Sequence, residues 1–197
     1  MWLQGRCSFF FVLFFFLLHG THFPVTALYG DLINATCKQC ADLSVVFNYN
    51  FCSASLQEIP ISHVTNLQGL ALVAMELALE NVTATISTIQ NMLDSGRFDP
   101  FAVGCLKDCL ELYADSSQVL LNAIVAFLSE QLDAANVLVS AVMETTVTCE
   151  EGFREKEGEV SPLTEENESL FQLSDIALCI IKLLPVAFGS KFDQLNV

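Results

Sequence analysis

CLELYADSSQVLLNAIVAFLSEQLDAANVLVSAVMETTVTC, residues Cys109 to Cys149, decides the fold. Asp115 to Leu128 and Ala134 to Cys149 carry apolar residues at helical spacing, and Ser129-Glu130-Gln131-Leu132-Asp133 is the polar break between them. The two cysteines lie 20 residues to either side of Ser129. Twenty residues of helix run about 30 Å, so an antiparallel pair turning at Ser129 brings both thiols to the same height. A disulfide there staples the open end of a helical hairpin. Without a long hairpin the spacing has no geometric purpose.

The helical period continues outward in both directions. Upstream, Leu67, Leu70, Ala71, Ala74, Leu77 and Ala78 mark one face, extended by Ile86, Ile89 and Leu93. Gly96, with Asp94, Ser95 and Arg97 around it, stops that helix, and Asp99-Pro100 restarts the chain in N-cap and first-turn order. The next helix carries Leu106, Cys109, Leu110, Tyr113, Leu120, Ile124 and Phe127. Asp133 reads as the cap of the third, whose weaker face is assigned to Val137, Ser140, Ala141, Glu144, Val147 and Thr148. Gly158 and Ser161-Pro162 break the charged stretch Glu150 to Glu168, and its middle reads as an exposed loop. Thr164 with Asn167 resembles a capping pattern, with Glu165 and Glu166 in the first turn. The last helix shows Phe171, Leu173, Ile176, Ala177, Ile180 and Leu184, and Pro185 is expected to end it. Strand alternation and repeats are absent. The expected fold is all-α: an up-down-up-down four-helix bundle over residues 61–188, followed by a tail, 189–197.

Residues 28–60 are too few to build a core of their own. They hold two short helical pieces, Ile33 to Leu43 and Asn50 to Leu56, with Cys37 in one and Cys52 in the other. A bridge between them closes a loop of about 15 residues, worth about 3 kcal/mol in the chain-entropy model. This segment reads as a helical hairpin extending from the bundle.

Residues 1–27 read as an export signal. Arg6 supplies one positive charge, Phe9 to Leu18 is an apolar run too short for a membrane span, and Val25-Thr26-Ala27 is a small-residue cleavage pattern. Cleavage would remove Arg6 and no acid, leaving 7 basic against 23 acidic residues, a net charge of −16 over 170 residues. That balance argues against nucleic acid and anionic membranes as partners, because phosphate neutralisation needs a basic surface. It favours a basic partner or simple solubility. Seven of the eight cysteines remain after the leader leaves with Cys7. Export permits disulfides, and the odd count leaves a free thiol or a disulfide dimer open. Asn34, Asn81 and Asn167 stand in glycosylation sequons, in keeping with a secreted chain.

Catalytic and metal chemistry find little support. Cys37-x-x-Cys40 lacks the strand–helix setting of a redox motif and the further ligands of a zinc site; His63 is the one histidine beyond the leader. No nucleophile elbow or glycine-rich phosphate loop is present. The reading is therefore no enzyme and no cofactor. Cys179 lies on the apolar stripe between Ile176 and Ile180 and reads as a buried free thiol. Cys40 and Cys105 would pair with each other if the hairpin folded back on the bundle.

Several stretches carry a resemblance. They are Phe47-Asn-Tyr-Asn-Phe-Cys52, Leu67-Gln-Gly-Leu-Ala-Leu72, Asp108-Cys109-Leu-Glu-Leu-Tyr113-Ala-Asp115, Thr148-Cys149-Glu-Glu-Gly-Phe153 and Leu173-Ser-Asp-Ile-Ala-Leu178. In order and spacing they resemble the plant invertase and pectin methylesterase inhibitor family, nearest its pollen-allergen-like branch, over roughly residues 30–185. The resemblance implies a four-helix bundle with an N-terminal hairpin and the disulfides Cys37–Cys52 and Cys109–Cys149. It also implies an exported protein of the plant cell wall (less readily the vacuole) that occludes an enzyme's cleft in a one-to-one complex. In some invertase inhibitors of the family a Pro-Lys-Phe turn between the second and third bundle helices enters the active site. Here the corresponding turn reads Leu132-Asp133-Ala134, and an aspartate facing catalytic acids costs affinity. Pectin methylesterase is thus the expected partner, with acid invertase the alternative and a secreted carrier of small lipids the rival of another class. The contact region is expected around Glu130, Gln131, Leu132, Asp133, Ala134 and Asn136.

Overall fold

The computed structural model describes the backbone of residues 26–193 and the side chains of residues 32–184. All but the last two residues of the expected leader lie outside the described residues. The helices are α1 (Thr26–Leu43), α2 (Tyr49–Gln57), α3 (Leu67–Asp94), α4 (Pro100–Leu128), α5 (Leu132–Arg154) and α6 (Thr164–Asp193), with a 3-10 turn at Pro60–Val64 before α3. Each of α3 to α6 packs on its successor, and α6 closes the ring against α3, which makes an up-down-up-down four-helix bundle. Hairpin α1–α2 rests on the end of the bundle where α3 begins and α4 turns into α5. Ile33, Phe47 and Leu56 of the hairpin join Leu70, Met75, Phe127 and Ile180 in one apolar cluster.

Local chemistry sets the helix ends. Asn66 caps α3 by accepting the N–H of Gly69 at 3.0 Å. A Cβ on Gly69 would lie 1.7 Å from Thr65 Oγ1, so glycine alone allows this entry from the 3-10 turn. Gly96 follows α3 at φ 63°, a left-handed conformation that glycine adopts freely. Asp99 caps α4, accepting the Ala102 N–H at 2.9 Å, and Pro100 fills the first helical position. Lys156 from the α5–α6 loop reaches back to Asp99 at 2.6 Å and lies 5.1 Å from the centre of the Phe101 ring. That contact holds the Asp99 carboxyl below its usual range.

A second cluster fills the other half of the bundle around Leu106, Tyr113, Leu120, Phe153, Leu163 and Leu170. Each fully buried leucine contributes about 1.5–3 kcal/mol. Helix α3 is long and apolar enough to cross a membrane by composition. Its Leu70, Ala71, Val73, Ala74, Met75 and Ala78 are instead the buried spine of the bundle.

The structure corrects five local expectations. The inward face of α5 is Ala135, Val139, Val142, Thr145, Thr146, Cys149 and Phe153, while Val137, Ala141, Glu144, Val147 and Thr148 face solvent and Ser140 is half-buried. Cys149 must meet Cys109, and seven and ten residues before it lie Val142 and Val139, so the stripe containing the cystine is the one that turns in. Asp133 lies in the first turn of α5 rather than capping it; Gln131 precedes the helix and makes no side-chain cap. Thr164 and Asn167 do not cap α6 but reach across to Glu150 of α5. Helix α6 runs through Pro185 to Asp193, so the chain after Gly189 is not a tail from that point. A proline forfeits one helical N–H and crowds the carbonyl four residues back; here the helix carries on beyond that loss. Within the α5–α6 loop, Ser161 and Leu163 are buried, and Ser161 Oγ accepts the Leu163 N–H, so that loop is exposed only in part.

Candidate functional site

The sulfurs organise the molecule first. Cys37 and Cys52 join α1 to α2, with Cα atoms 5.5 Å apart, and Cys109 and Cys149 join α4 to α5, with Cα atoms 5.1 Å apart. A third bridge connects Cys40 of α1 to Cys179 of α6. This corrects two readings at once: Cys179 is not a free thiol, and Cys40 does not pair with Cys105. Cys40 is one turn beyond Cys37, on the hairpin end that rests against α6, whereas Cys105 sits at the opposite end of the bundle. Ser44 reinforces the junction by donating to Asp175 Oδ2 at 2.6 Å. With Cys37 and Cys40 both consumed in bridges, the Cys-x-x-Cys pair has no thiolate for redox or metal chemistry. His63 lies in the 3-10 turn with Nε2 2.8 Å from the Gln57 carbonyl oxygen. Among the described residues, no group of three or more His, Cys, Asp or Glu side chains could hold a metal.

Cys105 is the free thiol among the described residues, buried and directed at the Gly152 carbonyl at 3.5 Å. Burial pushes its pKa up, and the Asp108 carboxylate adds to the effect. A thiol so held stays protonated and is a poor nucleophile. It lines a groove of about 540 Å³ between α4 and α5, walled by Phe101, Asp108, Leu112, Thr148, Glu151 and Glu155.

A polar network inside the bundle also escaped the sequence reading. Tyr113 of α4 donates to Asn167 Oδ1 at 2.8 Å, Asn167 Nδ2 donates to Glu150 Oε2 at 2.9 Å, and Thr164 donates to Glu150 Oε1 at 2.9 Å. Three helices are thereby tied through one buried amide. Burial pushes the Tyr113 pKa upward, and the Glu166 and Glu150 carboxylates act in the same direction. Ser116 and Thr145 make a further buried contact of 2.7 Å between α4 and α5. Tyr113, Asn167, Ser116 and Thr145 are thereby satisfied within the bundle, while Glu150 and Thr164 border a groove between α5 and α6.

The outward surface is different. Leu121, Val125 and Leu128 recur along α4 with exposures of 46%, 63% and 63%, and Val137 on α5 is 68% exposed. Between them lies the α4–α5 turn. Ser129 ends α4, the Glu130 N–H donates to the Phe127 carbonyl, and the Gln131 N–H donates to the Ala126 carbonyl, which is a Schellman closure. Glu130 occupies its left-handed position at φ 60°, where glycine is usual. Glu130, Gln131, Asp133 and Ala134 are exposed, while Leu132 and Asn136 are half-buried. From Asp108 to Phe153 the α4–α5 hairpin contains eight acids and no lysine or arginine. The tip is therefore an apolar and anionic surface with no cation of its own over that span.

The arrangement defines a class: a disulfide-stapled, all-helical bundle that carries an exposed apolar and anionic hairpin. Residues 31–180 match the family model described as plant invertase/pectin methylesterase inhibitor, and the chain belongs to that family of protein inhibitors. It is 42% identical over 155 residues to "Putative invertase inhibitor" of Platanus acerifolia, covering 79% of this chain and 86% of the relative. It is 29% identical over 144 residues to "Pectinesterase inhibitor" of Actinidia deliciosa, covering 73% and 76%. A crystal structure of a pectin methylesterase inhibitor from Arabidopsis thaliana shares the fold, with TM-score 0.56 and 24% identity over 78% of this chain and 95% of that one. A mutant form of such an inhibitor from Arabidopsis aligns with TM-score 0.63 and 23% identity over 75% and 95%.

Proposed function

We propose that this chain is an exported, non-catalytic inhibitor of pectin methylesterase in the plant cell wall, acting as a one-to-one plug. The mature inhibitor unit would begin near residue 28. One observation carries the reading: the α4–α5 hairpin is apolar at its tip, acidic along its sides and free of lysine and arginine over Asp108 to Phe153. Exposed Leu121, Val125, Leu128 and Val137 supply area that gains by leaving water. The acids steer a basic target surface to them and make association fall with salt. A rigid stapled hairpin loses little conformational freedom on docking, which favours affinity.

A second reading is inhibition of acid invertase, favoured by the 42% identity to the Platanus protein. On this reading the contact set lies elsewhere, because Asp133 and Glu130 would repel catalytic carboxylates. Titration of the purified protein against both enzymes separates the two. Inhibition of pectin methylesterase that weakens at least tenfold in Val125→Glu/Leu128→Glu supports the proposal. Inhibition of invertase alone overturns it.

A further inference from the structure

We propose that Asn34 carries an N-linked glycan and that Asn167 is barred from carrying one, although both stand in Asn-x-Ser/Thr sequons. The inference rests on the export reading above and otherwise on geometry. Asn34 is exposed on α1. Its Oδ1 accepts from Tyr49 Oη at 3.0 Å and from Gln57 Nε2 at 3.1 Å. Both donors, Tyr49 and Gln57, hold the carbonyl half of the amide toward α2, and among the described residues Nδ2 makes no hydrogen bond. A sugar on that nitrogen leaves both of these hydrogen bonds to Oδ1 in place. Helix α1 packs on α2, the 3-10 turn, α3 and α6.

Asn167 is the reverse case. It is 4% exposed, its Oδ1 is taken by Tyr113, and its Nδ2 donates to Glu150 Oε2 at 2.9 Å. A sugar on Nδ2 would have to occupy the space between α4, α5 and α6. A chain modified there before folding cannot close the bundle.

The step is transfer of an oligosaccharide from a lipid pyrophosphate donor. Asn34 Nδ2 attacks the anomeric carbon, the C–O bond to the pyrophosphate breaks, and the lipid pyrophosphate leaves with the electron pair. Nδ2 gives up one proton and keeps one. The sequon hydroxyl is Thr36, buried in the folded chain, so transfer precedes folding of the hairpin.

The test is expression of the full chain in a plant secretory host, with intact mass and glycopeptide mapping of protein recovered from the medium. The expected result is a glycan on the Asn34 peptide and an unmodified Asn167 peptide. Asn34→Gln and Thr36→Val should each lose one glycan, and Thr36→Ser should retain it. Exported protein with a bare Asn34, or folded exported protein with a glycan on Asn167, overturns the proposal while leaving export intact. A chain that never enters the secretory membranes overturns both.

Discussion

Removal of the Cys40–Cys179 bridge is the sharpest test of how the hairpin is held. The bridge spans 139 residues, and the Cys109–Cys149 bridge within that span short-circuits 40 of them. The effective loop is thus about 100 residues, for which the chain-entropy model gives about 4.7 kcal/mol. Domains of this kind have total stabilities of about 5–15 kcal/mol, so the double variant Cys40→Ala/Cys179→Ala should lose a large share of its stability yet retain a fold. The Ser44–Asp175 bond and the packing of Ile33, Phe47 and Leu56 remain in place. Guanidinium unfolding followed by circular dichroism should show a lower midpoint and a steeper dependence on denaturant, because the uncrosslinked unfolded chain exposes more surface. A second readout is thiol titration of the unreduced, denatured mature protein, in which Cys105 alone should react. A loss of under about 1 kcal/mol would refute the entropic reasoning, and three reactive thiols would refute the bridge itself.

Other substitutions probe other parts of the argument. Glu130→Gly should raise stability by about 1 kcal/mol, because a left-handed position costs an L-residue about 1–2 kcal/mol and glycine returns part of that as unfolded-state entropy; a drop in melting temperature would contradict it. Tyr113→Phe leaves the buried Asn167 oxygen without its donor and should cost about 1–3 kcal/mol, read from denaturant midpoints. Asp99 has a lowered pKa through its bond to Lys156, so its contribution is complete above the ordinary value of 3.8 and is lost as pH falls below it through the folded-state value. Thermal melts of wild type and Asp99→Asn should therefore converge in acid, and added salt should narrow their difference at neutral pH because the pair is exposed.

The stretch from Cys109 to Cys149 determined much by itself. Equal spacing about a polar turn defines an antiparallel helix pair, and helical periodicity on both sides completes four helices. The hairpin segment was legible for the same reason: Cys37 and Cys52 sit in two short helices with a turn between. These are local features, and rise per residue and periodicity decide them. Tertiary structure decided the rest. Helix α5 offers two plausible stripes, and only contact with its neighbours selects Val139, Val142 and Cys149 over Val137, Ala141 and Thr148. Cys40 finds Cys179 because the hairpin leans on α6, an angle no sequence spacing encodes. Asn167 reads as a surface sequon until three helices close around its amide. In each case several faces satisfy the same helical period, and the choice among them belongs to the partner helices, which lie far away along the chain and adjacent in space.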